Sequence, residues 1–257
     1  MKRIQRIILL TLILGLLTGN AVAGPFPSNV ANDVWSGTVN GIPTANDKND
    51  GIPDIYDAIN RIMGSSYTSN KDADPLFVEP DEVWKMLSDG SIALIGLTAG
   101  NANTLGVYTD LGTGLNRSAV SGPYSGFGFT ADGTSGNPYP GAVIPLSAGT
   151  EFGWYLQSDN VYYYSEAALN PGGWDHVMTF DLPDFPDSLY VDFGNGSVLW
   201  ELHDPFLITW EDLNMGDEDY DDMIYLVDRV IPTPIPGAFL LGALGIGAAG
   251  LKLRQFA

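Results

Sequence analysis

The 257-residue sequence contains no cysteine. That excludes disulfides, thiolate zinc sites and an acylated-cysteine anchor. Basic residues are also scarce: 11 Lys and Arg stand against 31 Asp and Glu, a formal net charge of −20. Five of those basic residues (Lys2, Arg3, Arg6, Lys252 and Arg254) lie in terminal segments without acids, so residues 24–236 hold six basic against 31 acidic residues, a net of −25. Such a body repels nucleic acid and anionic lipid and can attract divalent cations. Histidine occurs only twice, at His176 and His203. No Gly-x-Ser-x-Gly elbow and no Walker-type phosphate loop is present. A His entering a strand, as His176 does after Asp175, is more often a structural hydrogen-bonder than a catalyst.

Long apolar runs are missing too. The first, within "MKRIQRIILLTLILGLLTGNAVAG", covers residues 7–17. It follows Lys2, Arg3 and Arg6 and precedes Ala21-Val22-Ala23, a small-x-small site. That order is a secretory signal peptide, residues 1–23. The second run, residues 237–251, would be about 22 Å long as a helix, short of the roughly 30 Å hydrocarbon core. Lys252 and Arg254 would keep its end on the cytoplasmic side.

What is abundant is Gly (31), Pro (17) and aromatics (11%), a composition of turns and short strands. Ile55, Ala58, Ile59 and Ile62 fall on one helical face, with Pro53 before and Gly64 after, so a short helix is expected. Beyond residue 74 strand signals take over. "SIALIGLTA" (91–99) and "TLGVYTD" (104–110) read as a hairpin around Gly100–Asn103. Residues 111–149 read as a long connection between sheets. "EFGWYLQ", "HVMTFDL", "SVLWELH", "FLITWEDL" and "MIYLVDRV" are further short segments bounded by turn residues. The expected fold is mostly β: an antiparallel, jelly-roll-like β-sandwich with a short N-terminal helix and a C-terminal hydrophobic helix.

Two acidic constellations stand out. In "NDKNDGIPDIYD", placing Gly51 at the sixth position of a calcium loop puts Asn46 first, Asp50 fifth, Asp54 ninth and Asp57 twelfth, and Asp47 and Asn49 serve in a shifted register. The loop resembles the DxDxDGxxD loops of thrombospondin type 3 and dockerin-like repeats, with Lys48 where an acid is expected. In "WEDLNMGDEDYDDMIYLV", Asp212, Asn214, Asp217, Asp219, Asp221 and Asp222 crowd eleven positions. Calcium takes six to eight oxygens in flexible loops, so both are candidate Ca²⁺ sites. Neither loop has His or Cys, which argues against a transition metal. The alternative for each is a solvated acidic turn.

Three further segments carry resemblances. "ITWEDLNMGDEDYDDMIYLV" and "GWYLQSDNVYYYSEAALNPGGWDHVMTF" resemble a bacterial extracellular domain of unknown function that ends FEDLxxGDxDYxDxxF. The resemblance implies a β-rich surface module, often in calcium-associated proteins, with no established catalytic residues. "PIPGAFLLGALGIGAAGLKLR" resembles the PEP-CTERM sorting signal, in a variant with Ile-Pro-Gly-Ala. It implies processing by an exosortase near Pro234, Ile235, Pro236 and Gly237, with Lys252 and Arg254 as a reduced basic end. It also implies transient inner-membrane anchoring in a Gram-negative bacterium that makes an extracellular polysaccharide.

Aromatic residues cluster between 154 and 174. Trp154, Tyr162, Tyr164 and Trp174 are candidate carbohydrate-binding residues, since exposed rings beside Asp and Asn suit sugars; the alternative for each ring is the sandwich core. The expected organisation is a signal peptide (1–23), an acidic calcium-loop segment with the helix (24–74), a β-sandwich (75–230) and a sorting signal with a transmembrane-like helix (231–257). The expected function is that of an exported, non-enzymatic, calcium-binding surface or matrix protein associated with exopolysaccharide. The alternatives are a carbohydrate-binding module and a hydrolase.

Overall fold

The computed structural model describes residues 38–39, 42–43, 55–65, 76–78, 82–183, 185, 188–212 and 220–233. All fall within the compact unit Ala23–Thr233. In chain order the elements are β1 (Thr38–Val39), β2 (Ile42–Pro43), α1 (Ile55–Met63), β3 (Val83–Leu97), β4 (Asn103–Asp110), β5 (Leu115–Tyr124), β6 (Gly128–Phe129), β7 (Tyr139–Val143), β8 (Glu151–Ser158), β9 (Val161–Tyr164), β10 (Val177–Asp181), β11 (Ser188–Asp192), β12 (Ser197–Glu201), β13 (Phe206–Trp210) and β14 (Met223–Thr233). β1 and β2 form a small antiparallel pair. The others join one 12-stranded sheet whose main path runs β10-β13-β14-β3-β7-β11-β12.

The long pair β3–β14 makes the sheet curl. Its ladder runs from Met223↔Leu97 to Thr233↔Val83 and is interrupted between Asp228 and Val230, where Arg229 adopts φ 61°. Opposite that bulge lies Gly90, where a Cβ would come within 2.8 Å of Met86 Cε and 3.1 Å of Asp228 O. Only glycine fits so close an approach, and a bulge bends the strand it interrupts. On one side of the bend β3 pairs with β8, at Trp84↔Phe152, and on the other with β7, at Ile92↔Ala142. β8 continues into β4 and β9, and β4 into β5. The two parts of the sheet therefore share one core. Trp84 meets Trp154 and Phe206 edge-on at 6.2 and 5.5 Å, and Phe152 meets Trp154 at 5.1 Å.

A second core lies on the other face of the main path. Ile55, Ala58, Ile59 and Ile62 of α1, all buried, pack with Ala93, Ile95, Phe180, Leu207, Ile224 and Leu226. Burial of each large aliphatic side chain contributes about 1.5–3 kcal/mol. The helix ends as its sequence predicts: Gly64 has φ +65° and donates its N–H to Asn60 O at 2.9 Å. With both faces covered, β13 is buried at every position. Its near-continuous apolar run follows from that.

Several expectations are corrected. The sheet is mixed, because β7 and β11 pair in parallel at Val191↔Tyr139. The chain between them passes through β8, β9 and β10, long enough to bring β11 in alongside. Residues 91–99 and 104–110 do not form a hairpin; β3 and β4 pair with other strands, and their connection crosses between the two parts of the sheet. The "connection" 111–149 contains β5, β6 and β7. The helix shares its core with strands of the β-domain. β14 continues past residue 230 to Thr233. The signal peptide, sorting signal and C-terminal helix lie outside the described residues; among those described, no helix is long and apolar enough to cross a membrane.

Candidate cation centre and aromatic face

The ends of several strands meet at one place. Thr98 follows β3, Asn103 opens β4, Glu211 and Asp212 follow β13, and Asp221 and Asp222 precede β14. Glu211, Asp212 and Asp222 each place a carboxylate oxygen within 4.8 Å of the others'. Glu211 and Asp212 are buried and Asp222 is half-buried. Two ligands on opposite sides of one calcium ion are about 5 Å apart, so the spacing has room for one such ion. Three carboxylates held so closely repel one another unless a cation or donors intervene.

Their neighbours fix them. Asp212 N–H donates to Asp222 Oδ2 at 2.6 Å. Asn103 Nδ2 donates to Asp212 Oδ2, also at 2.6 Å. The Thr98 hydroxyl bonds to both Asp221 Oδ1 and the Asp221 carbonyl, the latter at 2.6 Å, and Thr98 N–H reaches Asp222 O at 3.2 Å. Asn103 is completely buried, and its Oδ1 has no hydrogen-bond partner. A buried amide oxygen without a donor is unfavourable by about 1–3 kcal/mol. It belongs to the same planar amide whose Nδ2 touches Asp212, which puts this unsatisfied oxygen in the neighbourhood of the carboxylates. The residues present fit a hard, oxygen-preferring ion.

His176 braces the site without entering it. It is 1% exposed, its Nδ1 lies 3.0 Å from Glu211 O, and its carbonyl accepts Glu211 N–H at 3.0 Å. The ring stacks on Tyr163 at 4.2 Å. Burial lowers its pKa, keeping the imidazole neutral. Its burial and its bonds to Glu211 are those of a structural hydrogen-bonder. His203 donates its backbone N–H to the buried Asp228 Oδ1 at 2.9 Å.

Of the expected ligands, the structure gathers Asp212, Asp221 and Asp222. Asp57 lies elsewhere, in the first turn of α1. Asn46, Asp47, Asn49, Asp50, Asp54, Asn214, Asp217 and Asp219 lie outside the described residues. Sequence reasoning missed Glu211, although it adjoins Asp212 in the quoted motif. It also missed Asn103, 109 residues away from Asp212, for which no local signal exists.

A second feature covers the outer face of β9-β8-β4-β5. Tyr155 lies on Gly106 and Tyr108 on Gly153, each pair directly opposite in register. A Cβ on Gly106 would come within 2.3 Å of the Tyr155 ring, and one on Gly153 within 2.2 Å of the Tyr108 ring. Tyr108 donates to Glu166 Oε1 at 2.9 Å, and Gly112 N–H donates to both Glu166 oxygens. Burial, then the Glu166 charge, raises the Tyr108 pKa well above the usual phenol range. On this bed stand the half-buried Tyr162 and Tyr164, with ring centroids 6.5 Å apart and planes 24° from parallel. The Arg117 guanidinium lies 3.8 Å from the Tyr162 ring centroid and donates to Tyr164 Oη at 3.0 Å. Buried Asn170 ties the Tyr164 backbone at both N and O, while its Nδ2 also reaches Trp174 O at 2.8 Å. Tyr162, Tyr164 and half-buried Trp174 thus remain available as candidates. Trp154 does not: it is 0% exposed, because it points from β8 into the shared core.

No family model and no curated protein matches the sequence. Among solved structures, the C-terminal domain of the BC2L-C lectin from Burkholderia cenocepacia is similar with a TM-score of 0.30 and 13% identity, over 60% of this chain and 98% of that one. The Chromobacterium violaceum lectin CV2L, solved with alpha-methyl-fucoside, has a TM-score of 0.31 and 12% identity, over 60% and 99%. Likeness at this level carries no argument about what this chain binds.

Proposed function

We propose that the protein is an exported, non-enzymatic surface module that binds calcium at Glu211, Asp212, Asp222 and Asn103 and engages a glycan there. The observation that carries the reading is the buried Asn103 Oδ1, left without a donor beside three carboxylates. When bound, calcium neutralises the carboxylates and leaves coordination positions that sugar hydroxyls can fill, since it takes six to eight oxygens. The chain's own residues do the rest. Thr98 and the Asp212 N–H hold the acids in place before any ligand arrives. Asp217, Asp219 and Asn214, in the same sequence loop, are further oxygen donors under this proposal.

Export rests on the signal-peptide pattern, and release on the sorting-signal resemblance; exosortase is the processing partner and extracellular polysaccharide the glycan source under the same proposal. Glycan-panel binding by the full chain tests the reading. It should require Ca²⁺, disappear with chelator, and fail in Asp222→Asn. Binding unchanged by all three would contradict it.

A second reading places the glycan on the outer tyrosines. Tyr162 and Tyr164 favour it, as two near-parallel rings on one strand face with an exposed arginine beside them. This binding would survive chelator and be lost in Tyr162→Ala.

A further inference from the structure

A cleft of about 400 Å³ opens between the last turn of α1, the turn at Asp132–Ser135, and β11. That is within the range of small-ligand sites, roughly 300–1,000 Å³. It involves none of the acids above and none of the outer tyrosines.

Its walls are fixed by hydrogen bonds that do not depend on a ligand. Arg61 donates from Nη2 to Ala131 O at 2.7 Å and from Nε to Tyr139 Oη at 3.3 Å, and its guanidinium lies 4.3 Å from the Phe129 ring centroid. These two bonds use two of the five guanidinium N–H donors. Asp132 accepts Thr134 N–H at 3.0 Å, and Tyr190 N–H ties the turn to β11 through Gly133 O at 3.1 Å. Gly133 has φ +72°, and a Cβ there would come within 2.7 Å of the Tyr139 ring. The turn can approach this closely only with glycine.

The chemistry is balanced. One cation, Arg61, and one anion, Asp132, share the lining with hydroxyls of Thr134, Ser135 and Ser188. Ile62, Phe185, Leu189 and Leu199 add apolar wall, and Tyr139 and Tyr190 complete it. Arg61 and Asp132 offset each other within the lining, which suits a ligand without net charge. A neutral ring with one apolar face and several hydroxyls meets every feature.

We infer that this cleft is a cation-independent subsite for a single neutral saccharide residue, held by Arg61 and Asp132 through its hydroxyls and by Leu189 and Leu199 through its apolar face. The ligand class rests on the glycan reading; the site itself does not.

Saturation-transfer NMR on the full chain in a non-glycosidic detergent tests it, with methyl glycosides of glucose, galactose, mannose and fucose and with leucine as probes. At least one glycoside should bind in excess chelator. Its affinity should fall roughly tenfold or more in Arg61→Ala, through loss of charge-assisted hydrogen bonds. Because Arg61 also braces Ala131 and Phe129, Leu199→Trp is the second variant. Leu199 is 53% exposed, so the fold should tolerate the larger ring while the cleft is filled. Chelator-resistant binding lost in both variants supports the subsite, whatever the cation centre does. A signal abolished by chelator and untouched by either variant overturns the subsite and leaves the cation centre standing. Leucine binding without any glycoside overturns the saccharide assignment, and no signal from any probe overturns the subsite, while the glycan reading is decided separately by the calcium-dependent panel.

Discussion

Asn103, the first residue of β4, donates its Nδ2–H to Asp212 Oδ2 at 2.6 Å, just beyond the end of β13. The bond joins β4, on one part of the sheet, to the acidic segment that follows β13 on the other. Removing the amide should therefore uncouple Asp212 from the sheet. Asn103→Ala is expected to weaken calcium binding by about tenfold or more, as for loss of a ligand or its support, read by calorimetric titration of Ca²⁺. Equal affinity in variant and parent would mean that Asn103 takes no part in the site.

The tyrosine–glycine pairs make a stability prediction independent of any ligand. Tyr108 is fully buried on Gly153 and bonded to Glu166, so it has no room to yield. Gly153→Ala should cost about 1–3 kcal/mol by overpacking. A denaturant melt with unchanged midpoint would show that the ring can move aside.

Trp154 and Tyr162 should separate packing from binding. Trp154→Ala empties the shared core and should cost about 3–5 kcal/mol. Tyr162→Ala removes a half-buried ring and its contact with Arg117, for about 1 kcal/mol. If glycan binding uses the outer face, it should fall in Tyr162→Ala at nearly unchanged melting temperature. Equal stability losses in the two variants would contradict the placement of the rings.

Asp228 supplies a pH dependence. Burial raises its pKa above the usual carboxyl range, against lowering by the His203 and Arg229 N–H groups and the Arg229 charge. A carboxyl raised in the folded state favours folding fully below its unfolded pKa, and that contribution is lost as pH rises through the folded value. Asp228→Asn should therefore gain stability relative to the parent as pH rises from about 4 towards neutrality. Melts of both proteins across that range check this; a constant difference would contradict it.

Much of this was legible in the residues themselves. The α1 face was set by Ile55, Ala58, Ile59 and Ile62, and its stop by Gly64, because helical period and capping are local. The acidic loop before β14 was visible for the same reason. The β3–β4 hairpin was misread because nothing near Gly100–Asn103 reveals that each strand finds its partners far away in sequence. β9 and β11 escaped notice: "VYYY" is short and wholly aromatic, and "SLYVD" lies among Asp, Pro and Gly. Trp154 looked like its neighbours Tyr162 and Tyr164, yet strand alternation turns it inward while they face out. Asn103 gave no signal at all, since an isolated Asn acquires meaning only when the fold brings it to Asp212.

The central claim is a cation site completed by Asn103, and thermal unfolding of the full chain tests it most directly. Calcium at about a hundred times its dissociation constant should stabilise the parent by about 2.7 kcal/mol, seen as a rise in melting temperature that chelator reverses. The rise should be much smaller in Asn103→Ala and absent in Asp212→Asn combined with Asp222→Asn. A parent melting curve that is the same with calcium and with chelator would contradict the account.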